Sequence, residues 1–207
     1  MTDRRQFAPA TERNRTPILE TLKAWLPESG TVLEVASGSG EHAVFLAPNV
    51  KPLKWQPSNF DPEQVNSVTD WIAHSPSENL LPPVRLDVTA AVWPVEAADY
   101  MDHPITAIFN ANMIHISPWR TAEGLMAGAG RILSEGGRLY LYGPFKIDGE
   151  HTAASNIKFE AWLKSLDPEF GVRDIEAVRT EAAKHNLLHK ATKPMPANNF
   201  MHMFEKA

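Results

Sequence analysis

Apolar residues recur along the chain in two alternating rhythms. After Pro17, the residues Ile18, Leu19, Leu22, Trp25 and Leu26 fall at helical spacing, and Gly30 ends the segment. Thr31–Ala36 (TVLEVA) is a β-rich run, Ser37–Gly40 is a glycine turn, and Glu41–Ala47 reads as a helix opening directly from it. Leu53–Pro57 reads as a second strand. Asp61 is placed to cap a helix reaching about Ala73, with Pro62 at its first position. Val84–Val88 and Ile105–Asn110 read as third and fourth strands. Thr121–Leu133 reads as a helix with a small-residue face, and Arg138–Tyr142, after the turn at Gly136-Gly137, as a fifth strand. Between Gly143 and Gly171 the pattern is loop and short helix. Asp174 then caps a helix to His185, and Leu187–Lys193 and Phe200–Phe204 form two strands around a Pro194–Asn199 turn.

Strands alternating with helices predict an α/β fold, a doubly wound and mostly parallel sheet of seven strands. The last two strands have no helix between them, so they form an antiparallel C-terminal pair. Right-handed crossovers bring the loops after the parallel strands to one edge, where ligands bind in such sheets. The 207 residues fit one domain. Within it, residues 1–28 form an N-terminal helical or lid segment, and residues 143–171 form a loop and short-helix insertion near the substrate side.

Hydrophobic residues make up 43% and charged residues 22%, an ordinary globular balance that argues against disorder. The net charge is -5 and no basic stripe is present, so nucleic acid is not an expected partner. Cysteine is absent, which removes disulfides, thiolate metal sites and a cysteine nucleophile. His185 and His189 stand four apart, but no acid completes a cluster, and no metal is expected. Met1–Ala10 lacks the apolar run of a signal peptide, and no stretch approaches the ~20 apolar residues of a membrane span. The expectation is a cytoplasmic protein, off the membrane, with a small-molecule partner and an oligomeric state left open.

Gly38-Ser39-Gly40 with Ala43 matches G-x-G-x-x-G/A between a strand and a helix. A dinucleotide site would add an acid at the end of the second strand, about 20 residues on. Here that strand ends in Gln56-Pro57-Ser58-Asn59, and the first acid is Asp61. An S-adenosylmethionine site also needs the glycines, but it sets an amino acid and a ribose against them instead of a pyrophosphate.

Glu34-Val35-Ala36-Ser37-Gly38-Ser39-Gly40 resembles the first motif of class I methyltransferases, E/D-x-G-x-G-x-G, with Ala36 replacing the first glycine. Asn110-Ala111-Asn112-Met113-Ile114-His115 resembles their segment after the fourth strand, and Gly136–Tyr142 resembles their fifth-strand segment. Phe7–Asn14, Ser37–Ala43, Trp55–Ser58, the ANMIHISPW and LYGPF segments and Met195–Asn199 together resemble the DUF938 family, also called methyltransferase-like protein 26. The resemblance covers nearly the whole chain. It implies a class I methyltransferase fold that takes S-adenosylmethionine and says little about the acceptor.

That resemblance assigns cofactor contacts to Glu34, Ala36, Gly38, Gly40, Asp87, Asn110 and Asn112, with Asp87 meeting the adenine amine. Ser58 stands where relatives place a ribose-binding acid, and it could equally cap the turn that follows, with Asn59 and Asp61 as substitutes. Arg13 could close over the cofactor carboxylate or simply bridge on the surface. His115 is the candidate base, because imidazole titrates near neutrality, and a histidine satisfied by a neighbouring carbonyl is the plainer alternative. Tyr142 and Phe145 flank Gly143-Pro144 and either line the acceptor pocket or close the core. Asn198 and Asn199 aim amides at the substrate or only make a turn. The expected activity is methyl transfer to a small molecule. A noncatalytic ligand-binding module and an NAD-dependent oxidoreductase are the alternatives.

Overall fold

The structure is a computed structural model that describes residues 3–97, 100 and 103–207. Its strands are β1 (Thr31–Val35), β2 (Lys54–Asn59), β3 (Val84–Arg85), β4 (Ile105–Ala111), β5 (Arg138–Gly143), β6 (Lys146–Ile147), β7 (Glu150–His151), β8 (Leu187–Met195) and β9 (Asn199–Lys206). Its helices are α1 (Pro9–Trp25), α2 (Glu41–Leu46), α3 (Pro62–His74), α4 (Trp119–Ile132), α5 (Ala154–Leu166) and α6 (Ile175–Ala183). Seven strands form one sheet in the order β3-β2-β1-β4-β5-β9-β8. This is the α/β fold the alternation predicted, mostly parallel, with an antiparallel pair at the C-terminus.

The chain divides into two compact units, Met1–Asp87 with Val92–Asn110, and Val88–Ala91 with Ala111–Ala207. In the first, β1 pairs in parallel with β2 on one side and β4 on the other. Every residue of β1 is buried, and Val32, Leu33, Trp55, Ile108 and Phe109 form its apolar centre. Strand order reverses at β1, the kind of switch point at which open α/β sheets bind ligands. In the second unit, β9 lies antiparallel between β5 and β8, with Leu141 opposite His202 and Gly143 opposite Phe200.

Three segments depart from the sequence pattern. α1 begins at Pro9 and carries Pro17 in its interior, where a helix start was expected. A proline there removes one N–H and crowds the preceding turn. The helix continues because Ile18, Leu19 and Leu22 bury one face across that point. β3 is only two residues long. The Leu86 N–H still donates to the Asn59 carbonyl at 2.9 Å, but the pairing stops there. α5 is a full thirteen-residue helix where loop and short helix were expected. Only Asn156 and Leu163 are buried on it, while Ile157, Trp162 and Leu166 are exposed, so its apolar residues mark no single face.

α3 starts as its sequence implies, with Asp61 accepting the Glu63 N–H at 2.8 Å. Asp61→Ala should cost about 1 kcal/mol of stability, measured by urea unfolding, without changing the fold.

Candidate functional site

The first unit gathers Glu34, Ala36, Gly38, Gly40, Ser58 and Asn110 at the carboxyl ends of β1, β2 and β4. The turn after β1 is built from left-handed backbone. Ala36 has φ +57°, Gly38 +57° and Gly40 +97°. Alanine pays for that conformation with roughly 1 kcal/mol where glycine would pay little. Its neighbours hold it. Asn110 Nδ2 donates to the Val35 carbonyl at 2.8 Å, and the Ser37 N–H donates to the Ser58 carbonyl at 2.8 Å.

The two glycines serve different ends. A Cβ on Gly40 would stand 2.9 Å from Val68 Cα, so this glycine lets α2 and α3 close on each other. A Cβ on Gly38 would meet nothing within 4 Å. Gly38 therefore faces open space, as a residue that lets a ligand approach the backbone must. Its peptide is fixed from behind by Asn59, whose Oδ1 accepts the Gly38 N–H at 2.9 Å while its Nδ2 donates to the Gly38 carbonyl at 3.1 Å.

Ser58, one residue earlier, is fully buried, and its hydroxyl donates to the Glu34 carbonyl at 2.8 Å. That side chain ties β2 to β1 and is closed off from solvent, a position that favours a structural role over a ribose contact. Asn59, the next residue, is buried as well, with its carboxamide spent on Gly38. Asn110 is likewise buried and committed to Val35. Asp87 is exposed just beyond β3, and Arg13 is exposed on α1. α1 reaches α2 through Asn14 Oδ1, 2.8 Å from His42 Nε2.

Glu34 is buried within β1 and accepts the Trp55 indole N–H at 2.9 Å. Burial pushes its carboxyl up to about 7, against hydrogen bonds from Trp55 and Ser37 that pull it down. Glu34 thus serves as an internal strut of the sheet.

In the second unit, Asn112, His115, Tyr142 and Phe145 come together around the segment after β4. The Asn112 N–H donates to the Tyr142 carbonyl at 2.9 Å. A Cβ on Gly143 would stand 2.6 Å from His115 Nε2 and 2.9 Å from Asn112 Oδ1, so both side chains lie against that glycine. His115 is 0% exposed. Its Nδ1 accepts the Arg173 N–H at 3.2 Å, and burial, with the Arg173 guanidinium and the His202 ring nearby, lowers its pKa to about 3. A neutral ring whose Nδ1 accepts carries its proton on Nε2. So placed, His115 presents an Nε2–H hydrogen-bond donor, and its lowered pKa makes it a weak base, which speaks against the base role its position suggested.

Phe145 is fully buried between two imidazoles, with ring centroids 4.8 Å from His115 and 4.5 Å from His202. Tyr142 is buried as well. Both close the core of this unit instead of lining an open pocket. Asn198 Nδ2 donates to Ser155 Oγ at 3.0 Å and ties the β8–β9 turn to α5, while Asn199 Nδ2 donates to the Pro196 carbonyl at 3.1 Å and braces the turn itself. His202 was not foreseen. Its Nε2, like that of His115, is buried with no hydrogen-bond partner among the described residues.

A family profile described as "Protein of unknown function (DUF938)" matches residues 5–206, and the chain belongs to that family. Among solved structures, an O-methyltransferase family 2 protein from Planctomyces limnophilus, in complex with apigenin, superposes with a TM-score of 0.78 at 20% identity, over 96% of this chain and 58% of that one. An O-methyltransferase family protein from Burkholderia thailandensis gives 0.76 at 14% identity, over 96% and 57%. Human N-acetylserotonin methyltransferase, in complex with S-adenosylmethionine, gives 0.75 at 13% identity, over 96% and 53%. The fold is that of methyltransferases, and the chain spans somewhat over half the length of these neighbours.

Two measurements test the local reading. Gly40→Ala should lose about 2–4 kcal/mol in urea unfolding, because its methyl strikes backbone in a left-handed turn. Gly38→Ala should lose only about 1 kcal/mol, the cost of the backbone alone. Glu34 adds a pH signature. Its unfolded carboxyl loses its proton near 4.5 and its folded one near 7, so the folded state loses stability as pH rises through that window. Glu34→Gln keeps an acceptor for Trp55 and should remove that loss. Relative to the parent, it should gain about 2 kcal/mol between pH 5 and pH 8, read from urea midpoints at the two values.

Proposed function

We propose that the chain works as a single methyltransferase domain that takes S-adenosylmethionine and passes its methyl group to a small molecule. The motif likeness to methyltransferase-like protein 26 is part of the same proposal. One observation carries it, the chemistry of the glycine turn. A pyrophosphate needs free N–H groups and positive potential at the start of the helix. Here the Gly38 N–H is spent on Asn59, the Gly40 N–H donates to the Ser37 carbonyl at 3.1 Å, and the carboxylate of Glu41 stands at the head of α2. A turn with committed donors and a carboxylate beside it disfavours a dianionic bridge. It suits a ligand that brings a positive amino or sulfonium group and no phosphate. This favours the adenosyl sulfonium over NAD.

The residues present fit that ligand. Gly38 leaves its Cβ side open to it, Asn59 fixes the peptide behind it, and Asp87, past β3, is an acceptor suited to an adenine amine. Bound there, S-adenosylmethionine supplies an activated methyl group. The protein's share is to hold donor and acceptor in line and exclude water.

Calorimetry tests the proposal. S-adenosylhomocysteine should bind in the micromolar range and NADH should not. Gly38→Val should abolish the binding, because its side chain enters the open face. NADH binding without S-adenosylhomocysteine binding would sink the assignment. Release of S-adenosylhomocysteine across a panel of small-molecule acceptors then tests turnover, and a chain that binds but never turns over is the noncatalytic module.

A further inference from the structure

Ser39, between the two glycines, is gripped from two sides by groups that also hold the chain's N-terminal strap. Residues 3–8 run beside α3 before α1 begins. Three alternate N–H groups of this strap are taken by side chains of α3 and α2. Arg4 N–H donates to Asp70 Oδ2 at 2.9 Å, Gln6 N–H to Ser67 Oγ at 2.8 Å, and Ala8 N–H to Glu41 Oε2 at 2.5 Å. The Trp71 indole returns a bond to the Gln6 carbonyl at 2.9 Å, Phe7 sets its ring edge against Trp71 at 5.2 Å, and the Arg5 guanidinium lies 4.9 Å from that indole.

Two of those three acceptors reach onward to the glycine turn. The Ser67 hydroxyl, fully buried, donates to the Ser39 carbonyl at 2.7 Å. Glu41 Oε2 accepts the Ser39 hydroxyl at 2.9 Å. Ser67 has one proton to give and takes one in return, so its exchange is complete. If the strap leaves, Ser67 and Glu41 each lose a partner and can turn toward water or another donor. Ser39 then loses the rigidity of both its holds. The third acceptor, Asp70, sits on the outer part of α3 and anchors only Arg4, through the backbone bond and two guanidinium bonds.

We propose that Ser67 and Glu41 are positioning residues for the glycine turn, and that they couple its conformation to the seating of the N-terminal strap. The strap is then part of the cofactor site without touching the ligand. Seating it firms the turn, and a ligand held at Gly38 firms the strap in return, since coupling between two sites is reciprocal. The ligand half of this inference rests on the turn being the S-adenosylmethionine site. The coupling half does not.

Hydrogen–deuterium exchange on the full chain separates the two halves. Without ligand, Asp70→Asn, which touches only the strap, should raise amide exchange severalfold at residues 38–44 as well as at 3–8. Ser67→Ala should do the same, and Ser67→Thr, which restores the hydroxyl, should reverse it. Unchanged exchange at residues 38–44 in both Asp70→Asn and Ser67→Ala overturns the coupling and makes the strap mere packing. With ligand, S-adenosylhomocysteine should slow exchange at residues 3–8 in the parent. Its Kd should weaken about tenfold in Ser67→Ala, the fold-change expected for one hydrogen bond to the binding turn. An affinity within twofold of the parent, with the strap indifferent to ligand, overturns the positioning role. Failure of the parent to bind S-adenosylhomocysteine removes the cofactor reading instead, and the ligand-free exchange still decides the coupling.

Discussion

The site rests on the side chain of Asn59. One carboxamide satisfies both the N–H and the carbonyl of Gly38, and it does so from the end of the neighbouring strand. A left-handed peptide facing open space would otherwise have to find its partners in water or in a ligand, and would be free to flip. With its peptide bonded on both sides, the turn has one shape before anything binds. The glycine at position 38 is then left with one task, which is to present no side chain. Preorganisation of this kind reduces the ordering cost that binding must otherwise pay.

The same economy decides the electrostatics. The Gly38 and Gly40 N–H groups are taken up within the fold, and the acid at position 41 is engaged as well, by Ser39 and by the strap. Glu34, deeper in the sheet, is held by Trp55 and loses affinity for its charge through burial. The strand-turn-helix motif is shared by dinucleotide and adenosyl sites. What would separate them is which polar groups remain uncommitted, and that is a property of hydrogen bonding more than of glycine spacing.

The sequence disclosed the fold more fully than the site. Alternating strand and helix patterns, the glycine turn, and the Asp61 and Asp174 caps are local features, and local features survive in one dimension. The role of Ser58 does not. All but the first residue of β2 are buried, so polarity does not alternate along it, and nothing in the pattern tells which side chain turns toward β1 and which toward the glycine turn. Ser58 and Asn59 were both candidates, and a single residue of register decides between them. His115 fails for a related reason. Its motif position places it near the ligand edge, but the protonation of its ring follows from the Arg173 N–H, more than fifty residues away in sequence. Helix α5 hid because its apolar residues spread around its surface, leaving no periodic stripe to read.

Ala36 shows how these supports can replace a motif residue. The methyltransferase motif that this turn resembles has glycine there, and the backbone here is left-handed. What permits alanine is that the residues on either side are pinned, Val35 through Asn110 and Ser37 through Ser58. The strain is then carried by bonds that the fold makes in any case, and it amounts to about one hydrogen bond in size. Two of the residues that resemblance would set against the cofactor, Ser58 and Asn110, are thus those that keep the turn in shape behind it. A motif records which positions the site depends on. Dependence through geometry and dependence through contact leave the same trace in a sequence, and they separate only when each polar atom is followed to its partner.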